Sequence, residues 1–433
     1  MQNPKALNGD RLQLEALMIP MILSRRSMLG AAAASLLSSP LRALALETNP
    51  IATKRKPTVI VLFLRGGMDG LNWLVPFGED AYYRLRPGIS IPRPAGDGTA
   101  VDLDGFFGLH PAASSMAPLF ESGLAVALPA VGHANNSRSH FKEQDLWETA
   151  VESNEVSTSG WLNRHLGSSR GRGPVRAIAL GDTLPRSLRG ENSALALRGL
   201  SDLAFDETRN LDRTLVALSQ AYEGKGARAN EAALARSGRS SLEALEHLQR
   251  AAQLPDESKV TYPNTTLGRR AKEAARLIRA DLGLEVIELD LGGWDTHQNQ
   301  GRVTGSYANN VRQVSEALTA LVTDLEDRLD DLMILTVTEF GRTTAQNGTN
   351  GTDHGWASCA FAMGGAVKRS ASRREGPILG SWPGLAPEDL NQGRDLAHSI
   401  DFRDVYWEML GFLGNERQSE VLGGHAYQAL GLV

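Results

Sequence analysis

Six short apolar runs, several rich in β-branched residues and most ending in glycine, recur along the chain and predict buried strands. They read "TVIVLFLRGG" (58–67), "GLAVALPAVG" (123–132), "VRAIALGD" (175–182), "GLEVIELDLGG" (283–293), "DLMILTVTEFG" (331–341) and "CAFAMGG" (359–365). Three segments between them carry apolar residues at the three-to-four spacing of amphipathic helices, at 240–253, 269–283 and 308–329. Alternating strands and helices predict a three-layer α/β sandwich, a mostly parallel central sheet with helices on both faces.

The domain organisation follows from where this alternation stops. Residues from about 206 to 266 are polar and helical and contain no strong strand pattern, which predicts a helical insertion on the scaffold. No internal repeat divides the remainder. We therefore expect a single α/β domain over residues 46–433.

The N-terminal segment resembles a twin-arginine export signal. "SRRSMLGAAAASLLSS" contains the pair Arg25 and Arg26 before an Ala-rich run, and a small-residue sequence at 43–45 resembles a cleavage site. An ordinary charged, Ala-rich helix is the alternative interpretation. We expect residues 1–45 to be a signal recognised by the twin-arginine export machinery, which places the mature protein in the periplasm or outside the cell. The apolar run is short for a membrane span, so no stable span is expected after signal removal.

Composition narrows the range of partners and chemistry. The 433 residues carry a formal net charge of -5, and their charges are mixed without a basic block, which argues against nucleic acid as a partner. The single cysteine, Cys359, excludes an intramolecular disulfide framework and any multi-cysteine metal site.

Polar side chains cluster where the predicted strands end, and in parallel sheets ligands bind beyond the carboxyl ends of strands. These residues are Asp69 and Asn72; Ser137, Ser139 and His140; Asp295 and His297; Glu339; and, just before the sixth strand, Asp353 and His354. Any one of them could be a helix cap or turn residue, and Glu339 could form a structural salt bridge with Arg342. Taken together they predict oxygen and nitrogen ligands that suit zinc, manganese or iron better than calcium. Asp295 and His297 are interpreted as a pair of metal ligands.

With these residues in view, the sequence resembles the bacterial family called domain of unknown function 1501 (DUF1501) over nearly the whole mature chain. The motifs are, in order, "FLRGGMDGLN", "DGFFGLHPA", "NSRSHF", "GGWDTH", "EFGRT", "GTDHG" and "DFRDV". This family looks like a branch of the alkaline phosphatase-like superfamily, which includes sulfatases and cofactor-independent phosphoglycerate mutases. The resemblance implies an α/β sandwich with two metals, an Asp after the first strand, and a Ser or Thr nucleophile.

The metal ligands transfer from the superfamily only in part. The resemblance implies Asp69, followed by Asn72, as the first acidic position. It implies Asp295, His297 and His354, with Asp353 as a further member, for one metal site. The second site, expected from Asp69 and Glu339, lacks its histidine because Phe340 follows Glu339, and His140 could replace it if its loop folds inward.

The nucleophile is implied less specifically. Ser137 or Ser139 would be the nucleophile, Arg138 could hold an anion bidentately, and His140 could assist proton transfer. The "CxPxR" pattern from which sulfatases make formylglycine is absent, which argues against a standard sulfatase.

These observations lead to one main functional expectation. The chain would be an exported metal-dependent hydrolase of phosphate or sulfate esters, using one or two divalent ions, zinc or manganese, on a small anionic ester substrate. The alternative is a catalytically degenerate protein of the same fold that binds a metal or ligand in the cell envelope. A dinucleotide-dependent oxidoreductase is disfavoured, because the glycines after the first strand do not form a GxGxxG motif.

Overall fold

The computed structural model describes residues 55–433 except 153–156, 172, 174, 201–228 and 372–375. The export signal expected at 1–45 lies outside the described residues, and so does the first part, 206–228, of the expected insertion. No helix in the part of the chain that the structure describes is both long enough and apolar enough to cross a membrane.

The strands that the structure describes form two sheets. The strands are β1 Thr58–Leu64, β2 Leu74–Val75, β3 Val101–Asp102, β4 Gly108–Leu109, β5 Ala125–Gly132, β6 Ala177–Leu180, β7 Leu195–Leu197, β8 Val286–Leu291, β9 Leu332–Val337, β10 Ser358–Gly364 and β11 Ile400–Asp401. The main sheet has eight strands in the order β11-β5-β10-β9-β1-β8-β6-β7, and β2, β4 and β3 make a small second sheet. All six strands predicted from apolar runs are present. The additions to the main sheet are the short edge strands β7 and β11.

The main sheet is parallel apart from one strand. β1 pairs in parallel with both β8 and β9, whereas β10 runs antiparallel to its neighbours β9 and β5. Among the strands that the structure describes in this sheet, β10 alone is reversed. The residues that precede β10 therefore lie at the same edge as the residues that follow the parallel strands.

Helices cover both faces of the sheet. They are α1 Gly70–Trp73, α2 Asp80–Leu85, α3 Ala117–Glu121, α4 His140–Thr149, α5 Trp161–Ser168, α6 Ala229–Gln253, α7 Thr266–Arg279, α8 Ser306–Asp324, α9 Gly365–Ser370, α10 Phe402–Phe412 and α11 Gln418–Val421. Short 3-10 helices lie at Pro111–Met116, Arg186–Leu188 and Glu326–Asp331.

The side chains of the central strand β1 alternate between two hydrophobic cores. Ile60, Leu62 and Leu64 belong to a core that contains residues of α6, α7 and α8. Val59, Val61 and Phe63 belong to a second core with residues of α4, α5 and α10. Every residue of β1 is buried. This is the pattern of a strand covered on both faces, so the predicted three-layer α/β sandwich with a mostly parallel sheet is confirmed.

The described part of the predicted helical insertion contributes to the main core. Ala244, Leu248 and Ala251 of α6 are buried in the same core as α7 and α8. The single-domain boundaries and the extent of the insertion stay predictions.

Candidate metal centre

Three segments meet at the carboxyl edge of the sheet. His140 is the first residue of α4, Asp295 and His297 follow β8, and His354 precedes the reversed strand β10. The last two segments are joined by main-chain hydrogen bonds, such as Thr352 N to Thr296 O at 3.0 Å. The reversal of β10 is what allows a residue ahead of a strand to meet residues that come after strands.

The side chains of these residues converge on one carboxylate. Ligand atoms of His140, Asp295 and His354 lie within 4.8 Å of one another, a possible metal site. The Nε2 atoms of His297 and His354 lie 3.0 and 3.2 Å from Asp295 Oδ1, and His140 Nε2 lies 3.5 Å from Oδ2. His297 Nε2 is also 3.0 Å from His354 Nε2. We refer to these four residues as the His/Asp cluster.

The other nitrogen of each imidazole has a polar partner. His140 Nδ1 lies 2.8 Å from Glu339 Oε1, and His297 Nδ1 lies 2.9 Å from Asp353 Oδ1. His354 Nδ1 lies 2.9 Å from the main-chain oxygen of Arg138. Histidines that bind metals usually donate the second N–H to a carboxylate or carbonyl in this way, because that hydrogen bond fixes the tautomer and the ring orientation.

His140 supplies a direct test of whether the cluster fits a metal. Its Nε2 atom is buried and has no hydrogen-bond partner among the residues that the structure describes, although buried polar atoms normally have one. An ion bound at this nitrogen would satisfy it. Three imidazoles and one carboxylate without thiolates form a donor set that suits zinc and related transition metals.

Glu339 holds His140 and has no described contact with the other three cluster residues. The carboxylate is fully buried, and besides His140 its Oε1 accepts hydrogen bonds from Gln144 Nε2 and Gly66 N, both at 2.9 Å. Burial would raise its pKa, but the hydrogen bonds, led by that of His140, lower it. In turn, the hydrogen bond to Glu339 raises the pKa of His140. The geometry makes Glu339 an orienting partner of His140, and the ligand role expected for it has no support here.

Asp353 orients His297 as Glu339 orients His140. Its Oδ1 accepts from His297 and from Asn347 Nδ2 at 3.2 Å. The hydrogen bond with His297 lowers the pKa of Asp353 despite slight burial. Its carboxylate is therefore available to hold the imidazole at neutral pH.

Arg342 organises the loops around the cluster. Its buried guanidinium donates to Asp295 Oδ1 at 2.6 Å, not to Glu339 as the salt-bridge alternative supposed. It also donates to four main-chain oxygens, those of Gly66, Gly67, Trp294 and Thr352. Burial would raise the pKa of Asp295, but the hydrogen bond and charge of Arg342, with His297 and His140, lower it to about 2.

The loop after β1 passes very close to the loop after β8. At Gly66, with φ +122°, a Cβ atom would lie 2.7 Å from Asp295 N. A side chain fits neither this conformation nor this space. The close contact brings the Gly66 and Gly67 carbonyls within reach of Arg342.

Asp69 and Asn72 lie in a separate buried network. Both are fully buried, and Arg86 Nη1 donates to Asp69 Oδ2 at 2.7 Å and to Asn72 Oδ1 at 2.8 Å. Gln300 donates to the same Asp69 oxygen, and Tyr82 donates to Asn72. The hydrogen bonds described for Asp69 and Asn72 involve no cluster residue, and their expected role as metal ligands stays a prediction.

The predicted nucleophile loop lies beside the cluster, but its side chains are largely committed elsewhere. Ser137 Oγ donates to Glu143 Oε1 at 2.6 Å, and Glu143 also contacts His133. The Arg138 guanidinium binds Asp395 through Nε and Nη2, and its expected role in holding an anion stays a prediction. Ser139 directly precedes His140 and does not cap α4 with its side chain.

Three orienting residues were not identified from the sequence: Arg342 as the donor to four carbonyls, Gln144 behind Glu339, and Asp395 behind Arg138. One signal was available for Arg342. A cation a few residues after a buried strand must find several acceptors if it is itself buried. Nothing in the local pattern distinguished Gln144 or Asp395 from ordinary surface residues.

The family follows from a comparison with family models. Residues 125–422 match the family described as "Protein of unknown function (DUF1501)". The chain belongs to this family. The match contains the His/Asp cluster of this DUF1501 protein and confirms the family that its motifs indicated, five of which lie within the matched residues. No curated protein matches the sequence significantly.

Solved structures similar to this DUF1501 protein include a zinc complex, a magnesium-bound phosphatase and a sulfatase. The zinc complex of the C-terminal periplasmic domain of EcEptC from Escherichia coli is 8% identical, with 74% of this chain and 76% of that one covered and a TM-score of 0.37. A magnesium-bound TAB5 alkaline phosphatase mutant is 9% identical (86% and 99% covered, TM-score 0.33). PsFucS1 sulfatase from Pseudoalteromonas sp. is 12% identical (88% and 75% covered, TM-score 0.30).

Proposed function

We propose that this DUF1501 protein is a metal-dependent hydrolase of phosphate or sulfate esters, with one divalent ion held by the His/Asp cluster. The observation that carries the proposal is the convergence of three imidazole Nε2 atoms on the carboxylate of Asp295. The second nitrogen of each imidazole faces an oxygen acceptor, which is the usual arrangement of a metal-binding histidine. Zinc or manganese suits these donors.

A bound divalent ion would supply Lewis-acid stabilisation of the ester oxygen and of charge that develops during its displacement. The residues of the chain do the rest. Arg342 keeps Asp295 ionised. Ser139 is the proposed nucleophile, because it adjoins His140 whereas the hydroxyl of Ser137 is bound to Glu143. The substrate is a small anionic ester, which can approach because the side chains of Asp295 and His297 are 46% and 41% exposed.

The experiment combines metal analysis with an ester screen. The purified protein is stripped with a chelator and titrated calorimetrically with Zn²⁺ and Mn²⁺. The metal-loaded protein is then assayed with p-nitrophenyl phosphate, bis-p-nitrophenyl phosphate and p-nitrophenyl sulfate. We expect one tightly bound equivalent and cleavage of at least one ester, with both lost in His297→Ala. His247, a partly exposed histidine of α6, provides the control. We expect His247→Ala to leave metal binding and ester cleavage unchanged.

Glu339→Gln separates an orienting role from a ligand role. Loss of an orienting partner typically weakens metal binding by about 10- to 100-fold without abolishing it, whereas the ligand variant Asp295→Asn should lose binding almost entirely. Absence of bound metal in the wild-type protein would refute the metal centre. Metal binding without cleavage of any ester would refute the hydrolase and leave the alternative of a metal-binding protein.

We further propose export by the twin-arginine route, on the pattern around Arg25 and Arg26. Fusion of residues 1–45 to a reporter that is active only after export tests this. We expect export that stops when both arginines are replaced by lysine. Export that continues in the double variant would contradict the proposal.

A further inference from the structure

Arg138 presents its main chain, not its side chain, to the His/Asp cluster. It adopts a left-handed backbone conformation with φ 55°, which is uncommon for residues other than glycine. Its carbonyl oxygen lies 2.9 Å from His354 Nδ1. Because a carbonyl can only accept, Nδ1 must carry the proton, and the lone pair of the neutral ring is then on Nε2. That atom is the one facing Asp295 at 3.2 Å.

The guanidinium of Arg138 is anchored by Asp395, Gln392 and the ring of Trp356. Its Nε and Nη2 atoms donate to Asp395 Oδ2 at 2.9 and 2.5 Å, and Nη2 also donates to Gln392 at 2.8 Å. The guanidinium carbon lies 5.0 Å from the centre of the Trp356 ring. These contacts hold a backbone conformation that an L-residue would not otherwise favour.

Asp395 reaches His354 along a second path. Its carboxylate, fully buried, also binds Arg394, with Nε to Oδ1 at 2.9 Å and Nη2 to Oδ2 at 3.0 Å. Arg394 Nη2 in turn donates to the main-chain oxygen of His354 at 2.7 Å. One buried carboxylate therefore holds the imidazole through Arg138 and the backbone of the same residue through Arg394.

We infer that Asp395 is a positioning residue that acts through Arg138 to fix the tautomer and direction of His354. The inference goes beyond the proposed function, because it concerns a residue that would touch neither metal nor substrate. Its consequence for metal affinity rests on the proposed metal centre, whereas the tautomer can be measured in the metal-free protein. Failure of the positioning role of Asp395 is thus distinguishable from failure of the proposed metal centre.

The experiment reads the tautomer directly. Long-range ¹H–¹⁵N spectra of the ¹⁵N-histidine-labelled, chelator-treated full chain are recorded at pH 8, above the ordinary pKa of imidazole, and His354→Ala assigns the signal. In the wild type we expect the Nδ1-protonated form. In Asp395→Asn we expect a mixture containing the Nε2-protonated form, and a Zn²⁺ affinity lowered about 10- to 100-fold. Arg138→Ala should give the same mixture, which keeps the test available if Asp395→Asn does not fold.

Asp324→Asn is the matched control. Asp324 is equally buried and pairs with Arg279 at 2.6 Å, but it ends α8 at the opposite edge of the sheet. We expect it to lower stability while leaving the His354 tautomer and the Zn²⁺ affinity unchanged. An unaltered tautomer in both Asp395→Asn and Arg138→Ala would overturn the inference. So would an equal tautomer change in Asp324→Asn, because the effect would then be general loosening.

Discussion

Replacement of Arg342 by methionine should destabilise the protein strongly. The side chain is fully buried, and its guanidinium is the common donor for the loops that follow β1 and β8 and for the segment before β10. Methionine fills much of the volume but donates nothing. Three of the main-chain oxygens that would lose this donor belong to the buried residues Gly67, Trp294 and Thr352.

The size of the effect follows from those acceptors. A buried acceptor left unsatisfied costs about 1–3 kcal/mol, and removal of one partner of a buried charge pair costs about 3–5 kcal/mol. Two effects make the total cost smaller than the sum of these values. The loops can relax partly around the new side chain, and water can replace the hydrogen bond to Asp295 because that carboxylate is exposed. We expect a loss of about 3–5 kcal/mol in the free energy of unfolding, against a total of about 5–15 kcal/mol for a typical domain.

Urea denaturation followed by tryptophan fluorescence measures this loss. Arg342→Lys retains the charge but has three donors in place of five, so we expect about half the effect. Arg417→Met is the control, because Arg417 is exposed and its side chain pairs with Glu420 within one helical turn, and it should change stability by less than about 0.5 kcal/mol. A loss below about 1 kcal/mol in Arg342→Met would refute the assignment of Arg342 as the organiser of these loops.

Two further predictions concern buried carboxylates. Burial and the charge of Glu148 raise the pKa of Glu288 to about 8, so between its unfolded pKa of about 4.5 and 8 the folded state binds more protons and stability falls as pH rises. Glu288→Gln removes this titrating group. The free energy of unfolding of the variant, relative to that of the wild type, should therefore rise by up to about 1.4 kcal/mol per pH unit between urea titrations at pH 5.5 and 7.5. A difference that does not change with pH would contradict this. Glu408 accepts hydrogen bonds from Tyr427 and from the main-chain nitrogens of 430–433. Glu408→Gln, which turns one acceptor into a donor, should cost about 1–3 kcal/mol and speed carboxypeptidase trimming, whereas an unchanged trimming rate would exclude a clamp on the tail.

The strands that build the core were accessible from the sequence because burial on both faces leaves an unbroken apolar run. β7 and β11 were not, since they have only three and two residues and lie at the sheet edges. The direction of β10 was also hidden, because an apolar run reads the same in a parallel or an antiparallel strand. Yet that direction brings His354 to the site.

The site residues also divide into those whose role the sequence indicated and those whose role it did not. Asp295, His297 and His354 could be proposed from their position next to strands, and the structure brings them together with His140. Asp69 occupies an equivalent position after β1 but meets Arg86, which lies 17 residues further along the chain. Whether an aspartate in this position becomes a metal ligand or part of a buried ion pair depends on whether a distant cationic side chain packs against it. A local motif does not contain that information.

The antiparallel step between β9 and β10 has an evolutionary consequence. The connection over residues 338–357 leaves and re-enters the sheet at one edge and never crosses to the opposite one. Insertions or deletions at its exposed tip, residues 348–350, would leave both cores untouched. Related proteins could therefore change the shape of the entrance in front of His354 within this single hairpin-like excursion, and thereby diversify what they admit while keeping the scaffold intact.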